Sequence, residues 1–172
     1  MNIVYYFKIF LISFSNIILS LPFTLLGLSK YDPLEIKADW QPPGYVFGIV
    51  WPILYILFGI INLRAINSSF ENVGKHIIAK DIVSTSLVES LLQTLWLVVT
   101  SNYIGTRTFG QHFFGMIILG YLVYYCYNVR KPIFAKHDSV SSYLYFPYTL
   151  WIVFAFILNF QIVKNFIKQE FQ

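Results

Sequence analysis

Charge is what this chain has least of. Lys, Arg, Asp and Glu make up 12% of its 172 residues, about half the share with which a soluble domain covers its surface. Cysteine is nearly missing too, and the single Cys126 excludes a disulfide scaffold. No basic block occurs: the net charge of +4 is spread over short polar segments, which argues against nucleic acid as a partner. What the chain does have is apolar and aromatic. Residues of the AVILMFWYC set reach 57%, aromatics 20%, and the mean hydropathy is +0.63. That aromatic content excludes disorder. The balance is that of a chain dissolved in membrane lipid.

A bilayer core about 30 Å thick takes roughly 20 residues of apolar helix to cross. Five stretches qualify, at about 3–29, 44–66, 82–104, 108–129 and 139–163. Only the first has a charge near its middle third, Lys8, close enough to the start to snorkel. Lipid offers backbone amides no partner, so the spans are expected to be helices. The alternating ten-residue segments of a β-barrel are not seen. The first span is long for a signal peptide and no A-x-A-like site follows it, so it reads as a retained helix; no transit-type presequence is seen either. The expected fold is an all-α integral membrane protein, a single five-transmembrane-helix bundle over residues 1–172.

Between the spans, residues 30–43 form a polar loop and residues 67–81 a second, whereas the joins at 105–107 and 130–138 are tight. Arg64, Lys75, Lys80, Arg130, Lys131, Lys136 and Lys8 fall on one side, and Lys30, Lys37, Arg107, Lys164 and Lys168 on the other. So even a split leaves orientation open, as it does the identity of the membrane. Asn67-Ser68-Ser69 is a glycosylation sequon, usable only in a lumen. Glycines at 105, 110, 115 and 120 are spaced by five, which turns each some 140° from the last. They read as close-packing positions, not as one dimerisation stripe.

Three helix faces carry the polar groups. Gly48, Trp51, Tyr55, Gly59 and Asn62 share a face of the second span; Glu89, Gln93, Trp96 and Thr100 one of the third; Tyr148, Trp151, Ala155 and Asn159 one of the fifth. A carboxyl or carboxamide in lipid is costly unless it faces the bundle interior. Turning the three faces inward makes an aromatic-walled site with a few polar groups, suited to a flat hydrophobic ligand. Blander readings stand beside this one. Trp and Tyr gather at membrane interfaces, which describes Trp40, accommodates Trp51 if its span starts late, and makes Tyr124, Tyr125 and Tyr127 an aromatic belt. Gln93 reads equally as an interhelical amide, and Glu89 as a solvated or protonated bystander or a functional carboxyl.

Catalytic signatures are missing. His76, His112 and His137 lie in or near loops without metal-ligand spacing, and no G-x-S-x-G, P-loop or GxGxxG occurs. Cys126 has no sequence partner to activate it. Asp138-Ser139 reads as a cap for the fifth helix. No metal, cofactor or catalytic residue is expected.

One stretch, Trp40-Gln41-Pro42-Pro43 followed by Gly48, Trp51, Leu54 and Tyr55, has the form W-x-P-P-x-x-x-x-G-x-x-W-x-x-L-Y. With Pro147-Tyr148-x-x-Trp151-x-x-Phe154-Ala155-x-x-Leu158-Asn159, and the weaker Leu91-Leu92-Gln93-x-x-Trp96, it resembles the translocator protein family, also called the tryptophan-rich sensory protein or peripheral benzodiazepine receptor family. The resemblance covers nearly the whole chain. It implies a five-helix bundle, often a homodimer, that binds porphyrins, sterols or other hydrophobic ligands between its helices beneath the first loop. The family's pocket positions fall on Pro42, Trp51, Gln93, Trp151 and Ala155, with Trp96 close by. Residues 30–43 would be the lid, and Tyr31, Asp32, Trp40, Tyr148 and Glu89 candidate lid or pocket residues. The chain also departs from the pattern. The family's Trp-Tyr pair is Tyr31-Asp32, its Lys-Pro is Lys37-Ala38, its pocket asparagine is Gln93, and the glutamine a turn earlier is Glu89. Two added acids should disfavour porphyrin carboxylates unless Lys37 or a protonated Glu89 compensates. Phe160 replaces the tyrosine of the sterol pattern, so sterol binding does not follow from it. A porphyrin-degrading photo-oxidative enzyme and a structural membrane partner without saturable binding are the rival classes.

Overall fold

The computed structural model of the chain describes residues 3–27, 36–72, 77–100 and 108–170. All regular structure among them is helical: α1 Ile3–Ser13, α2 Ser15–Gly27, α3 Gly44–Asn72, α4 Ile77–Thr100, α5 Phe109–Tyr125, a π-helical turn Cys126–Arg130, α6 Lys131–His137, α7 Ser139–Leu144 and α8 Phe146–Glu170. Among the described residues four stretches are long and apolar enough to cross a membrane: Gly44–Ser68, Lys80–Thr100, Phe109–His137 and Ser139–Gln169.

The burial pattern explains why these helices assemble in lipid. On α3, Trp51, Tyr55, Phe58 and Asn62 are buried while Ile49, Ile53, Ile56 and Ile60 are exposed. On α4, Ser86, Glu89, Ser90 and Gln93 face inward, and Leu87, Leu91 and Leu95 outward. On α8 the pairing is Tyr148, Ala155 and Asn159 against Leu150, Ile157 and Phe160. Each helix thus hides its polar groups and shows aliphatic ones, as helices must where the solvent is hydrocarbon.

The sequence-based boundaries need three corrections. The first expected span is two helices meeting at Phe14, of 11 and 13 residues, and neither alone reaches spanning length. Hydrogen bonds from Phe14 N to Phe10 O (3.0 Å) and Ile18 N to Phe14 O (3.1 Å) carry the backbone through the join. The expected loop 67–81 is largely helix, because α3 runs on to Asn72 and α4 begins at Ile77; polar residues end an apolar run without ending a helix. The expected join at 130–138 is likewise helical from Arg130 to His137. His112, expected in or near a loop, is buried in the first turn of α5. That turn starts at a Thr108 capping box: the Gln111 amide N–H donates to the Thr108 hydroxyl, and the Thr108 N–H to the Gln111 side chain.

Asp138 does cap the next helix. Its carboxylate accepts from the Ser141 amide (3.2 Å) and hydroxyl (2.6 Å), and from Arg64 Nε (2.7 Å). Partial burial opposes its ionisation, but the Ser141 and Arg64 bonds outweigh that and hold the carboxyl below its ordinary value. A depressed carboxylate stabilises the fold above its unfolded pKa, and that contribution disappears as pH falls through the folded value. Asp138→Ala should therefore cost about 1 kcal/mol at pH 7, the usual loss for a cap. It should also flatten the wild type's decline below about pH 4. Thermal unfolding in detergent at pH 7 and pH 3 reads both effects. An unchanged acid limb would mean that Asp138 is not the group responsible.

Candidate functional site

Three tryptophans from three helices meet. The Trp51 ring of α3 lies 5.6 Å from Trp96 of α4, and 6.1 Å, edge-on, from Trp151 of α8. Tyr55 continues the wall below Trp51 at 5.5 Å, and Phe47 meets Trp151 at 5.8 Å. Trp51 is only 7% exposed, so it is an interior residue and not an interfacial one. The helical repeat that put Trp51 and Tyr55 on one face is what lets one helix supply both rings.

Residues 36–43 lie against α8. Ala38 is buried with Leu158 and Ile162, and Asn165 Nδ2 donates to the Lys37 carbonyl at 2.8 Å. Trp40, 46% exposed, sets its edge on Phe154, which stacks on Trp151 at 4.9 Å. Pro42 is partly buried just ahead of α3. Tyr31 and Asp32, the other lid candidates, lie outside the described residues.

The polar atoms around this cluster are short of partners. Both atoms of the Gln93 amide, the indole nitrogens of Trp96 and Trp151, and the Tyr55 and Tyr148 hydroxyls are buried without a hydrogen bond among the described residues. Tyr55 lies beside Gln93 and Ser20 without closing a bond of normal geometry to either. Such groups are costly in a protein interior, and here they occur together. Ala155 is buried on the same face of α8 as Trp151 and Tyr148.

Glu89 is neither a bystander nor solvated. It is fully buried, and Arg130 Nε donates to its Oε2 at 2.7 Å. Its Oε1 accepts from the Tyr145 hydroxyl and from the Cys126 thiol, the latter at 3.6 Å. The remaining guanidinium donors reach Asn62 Oδ1 (2.6 Å), Thr85 Oγ1 (2.9 Å) and the Ile82 carbonyl (3.2 Å). Phe134 covers the cation at 4.4 Å. Arg130 counts among the loop cations in the sequence, yet it ends the π-helical turn inside the bundle. Nothing local signals this, because its partner is on another helix. Cys126 and Tyr145 are drawn in by the same pair. Tyr125, expected in an aromatic belt, is also buried and donates to the Thr85 carbonyl at 3.2 Å, whereas Tyr124 and Tyr127 are exposed. Among the described residues no cluster of His, Cys, Asp and Glu has the make-up of a metal site.

A sequence profile described as the TspO/MBR family matches residues 11–164. The chain belongs to the TspO/MBR family. Its relatives include the tryptophan-rich protein TspO of Bacillus cereus, 30% identical over 138 residues that cover 77% of both chains. The CrtK protein of Rhodobacter capsulatus is 29% identical over 132 residues, 77% of this chain and 75% of its own. The tryptophan-rich sensory protein of Cereibacter sphaeroides is 24% identical over 134 residues, 78% and 75% of the two chains. No solved structure gives a significant match. With four apolar helices of spanning length, this TspO/MBR member is a multi-pass integral membrane protein.

Proposed function

We propose that this protein is a receptor or carrier that binds a flat hydrophobic molecule, of porphyrin-like size or smaller, between α3, α4 and α8. α1 and α2 together form a fifth span that closes the bundle, and residues 30–43 act as its lid. The observation that carries this reading is the coincidence of two features in one place. Trp51, Trp96 and Trp151 make an aromatic wall, and the Gln93 amide, the Trp96 and Trp151 indole nitrogens and the Tyr55 and Tyr148 hydroxyls, all buried without a hydrogen bond among the described residues, lie on the same three helix faces. Aromatic faces supply stacking area, and a few polar atoms fix orientation. Gln93 is the strongest anchor because its amide both donates and accepts. Contacts between α1–α2 and the rest support the fifth span: the Ser15 and Ser90 hydroxyls are 2.6 Å apart, and Asn62 Nδ2 donates to the Ser13 carbonyl at 3.4 Å.

The test is a titration of the protein in lipid nanodiscs with protoporphyrin IX dimethyl ester, which has the flat ring without charge, following tryptophan emission. Saturable quenching is expected. Gln93→Ala should weaken it about tenfold, the value of one good hydrogen bond in a dry site, and Trp51→Phe should lower the quenching amplitude while Trp96 and Trp151 still report binding. Linear quenching equal to that of empty nanodiscs, unmoved by Gln93→Ala, would refute the reading.

A further inference from the structure

We propose that the buried Glu89–Arg130 pair sets the charge preference of this site, so that it takes uncharged ligands over carboxylate-bearing ones. The inference rests on the ligand-binding reading above and adds the chemical class of the ligand. Arg130 is the buried cation of the described bundle, 0% exposed, and Glu89 at 0% neutralises it. Glu89 stands one helical turn, about 6 Å of rise, from Gln93 on the same face of α4. From the other side, Arg130 lies 5.4 Å from the Phe58 ring, and Phe58 lies 5.4 Å from the Tyr148 ring. The pair therefore lies one helical turn from Gln93 and is separated from Tyr148 by the Phe58 ring.

Every group with spare capacity there is itself uncharged: the Gln93 amide, two indole N–H groups and two phenols. A ligand with carbonyl or ring-nitrogen acceptors is satisfied by such donors. A carboxylate is not, because it gives up hydration that neutral donors only partly replace. The buried cation that could compensate it, Arg130, is already held by Glu89, Asn62, Thr85 and the Ile82 carbonyl, and Lys37, on residues 36–43 against α8, is exposed. Glu89 thus acts on specificity by occupying Arg130 rather than by repelling anions, which a lone acid at this position would do.

Two probes that share one ring and differ in charge test this: protoporphyrin IX, a dicarboxylate, and its dimethyl ester, each titrated into nanodiscs with the empty-disc signal subtracted. Wild type should bind the ester about tenfold more tightly than the diacid or better. Glu89→Gln leaves Arg130 as an unpaired buried cation beside a position one helical turn from Gln93, and the ester-to-diacid preference should move toward the diacid by at least tenfold. Glu89→Gln/Arg130→Gln removes the cation and should restore the ester preference. A wild type that prefers the diacid overturns the proposal without any variant. So does a folded Glu89→Gln protein with the wild-type ratio. If wild type binds neither probe saturably, the ligand-binding reading fails. Diacid binding confined to Glu89→Gln would then still uphold the role of Glu89 in masking Arg130, and its absence would end both.

Discussion

Arg130→Met should lower the stability of the bundle by about 3–5 kcal/mol, the cost of removing one partner from a buried ion pair. Methionine approximates the stem of the arginine, so packing against Phe134 is largely kept. What is lost is the charge and its four bonds to Glu89, Asn62, Thr85 and the Ile82 carbonyl. Glu89 is then left at zero exposure with only the Tyr145 hydroxyl and the Cys126 thiol as donors. Either it stays ionised without a counter-charge or it takes up a proton, and both raise the free energy of the folded state. The double variant Glu89→Leu/Arg130→Met should recover most of the loss, since an apolar pair leaves no charge stranded. Helicity followed through an SDS titration in mixed micelles compares wild type, Arg130→Met, Glu89→Leu and the double variant. Additive losses from the two substitutions would mean that the groups act separately, and the ion-pair account would fail.

How far the chain could be read without coordinates follows from where each signal is stored. Trp51 with Tyr55, Gln93 with Trp96, and Tyr148 with Trp151 are legible because helical periodicity is local and lipid forbids polar groups on the outer face. Asp138 as a cap is legible for the same reason, since donor and acceptor lie three residues apart. Arg130 is different. Judged by its neighbours Asn128 and Lys131 it belongs to a loop, and only Glu89, on a different helix, explains why the helix continues through it. The break at Phe14 carries no proline or glycine of its own to announce it. It sits against α3 where Gly59 leaves room: a Cβ at Gly59 would lie 2.8 Å from the Phe14 Cζ. Long-range pairs and close approaches between helices depend on two distant segments at once, and a single sequence does not record which segments meet.

The evenly spaced glycines of α5 make the same point with opposite expected signs. A Cβ at Gly115 would stand 2.5 Å from the Thr100 methyl, 3.1 Å from Asn159 Nδ2 and 3.5 Å from Trp96 Cδ1. None of these neighbours yields freely. The Thr100 hydroxyl is bonded to the Trp96 carbonyl at 2.8 Å, so turning the methyl away gives up that bond. Asn159 is held at both ends by His112, donating to its carbonyl at 2.9 Å and facing Nδ1 at 3.0 Å. Gly115→Val should therefore cost about 1–3 kcal/mol through overpacking, with Gly115→Ala toward the lower end. It should also shift tryptophan emission, because Trp96 must move. At Gly110 the nearest atom is the Thr108 hydroxyl at 3.9 Å, an ordinary contact. There, Gly110→Ala adds helix propensity without a clash and should stabilise by up to about 1 kcal/mol. The SDS titration separates the pair. Equal effects at both positions would mean that α5 does not approach α4 and α8 at Gly115, and the packing that brings Trp96 to Trp51 would have to be drawn differently.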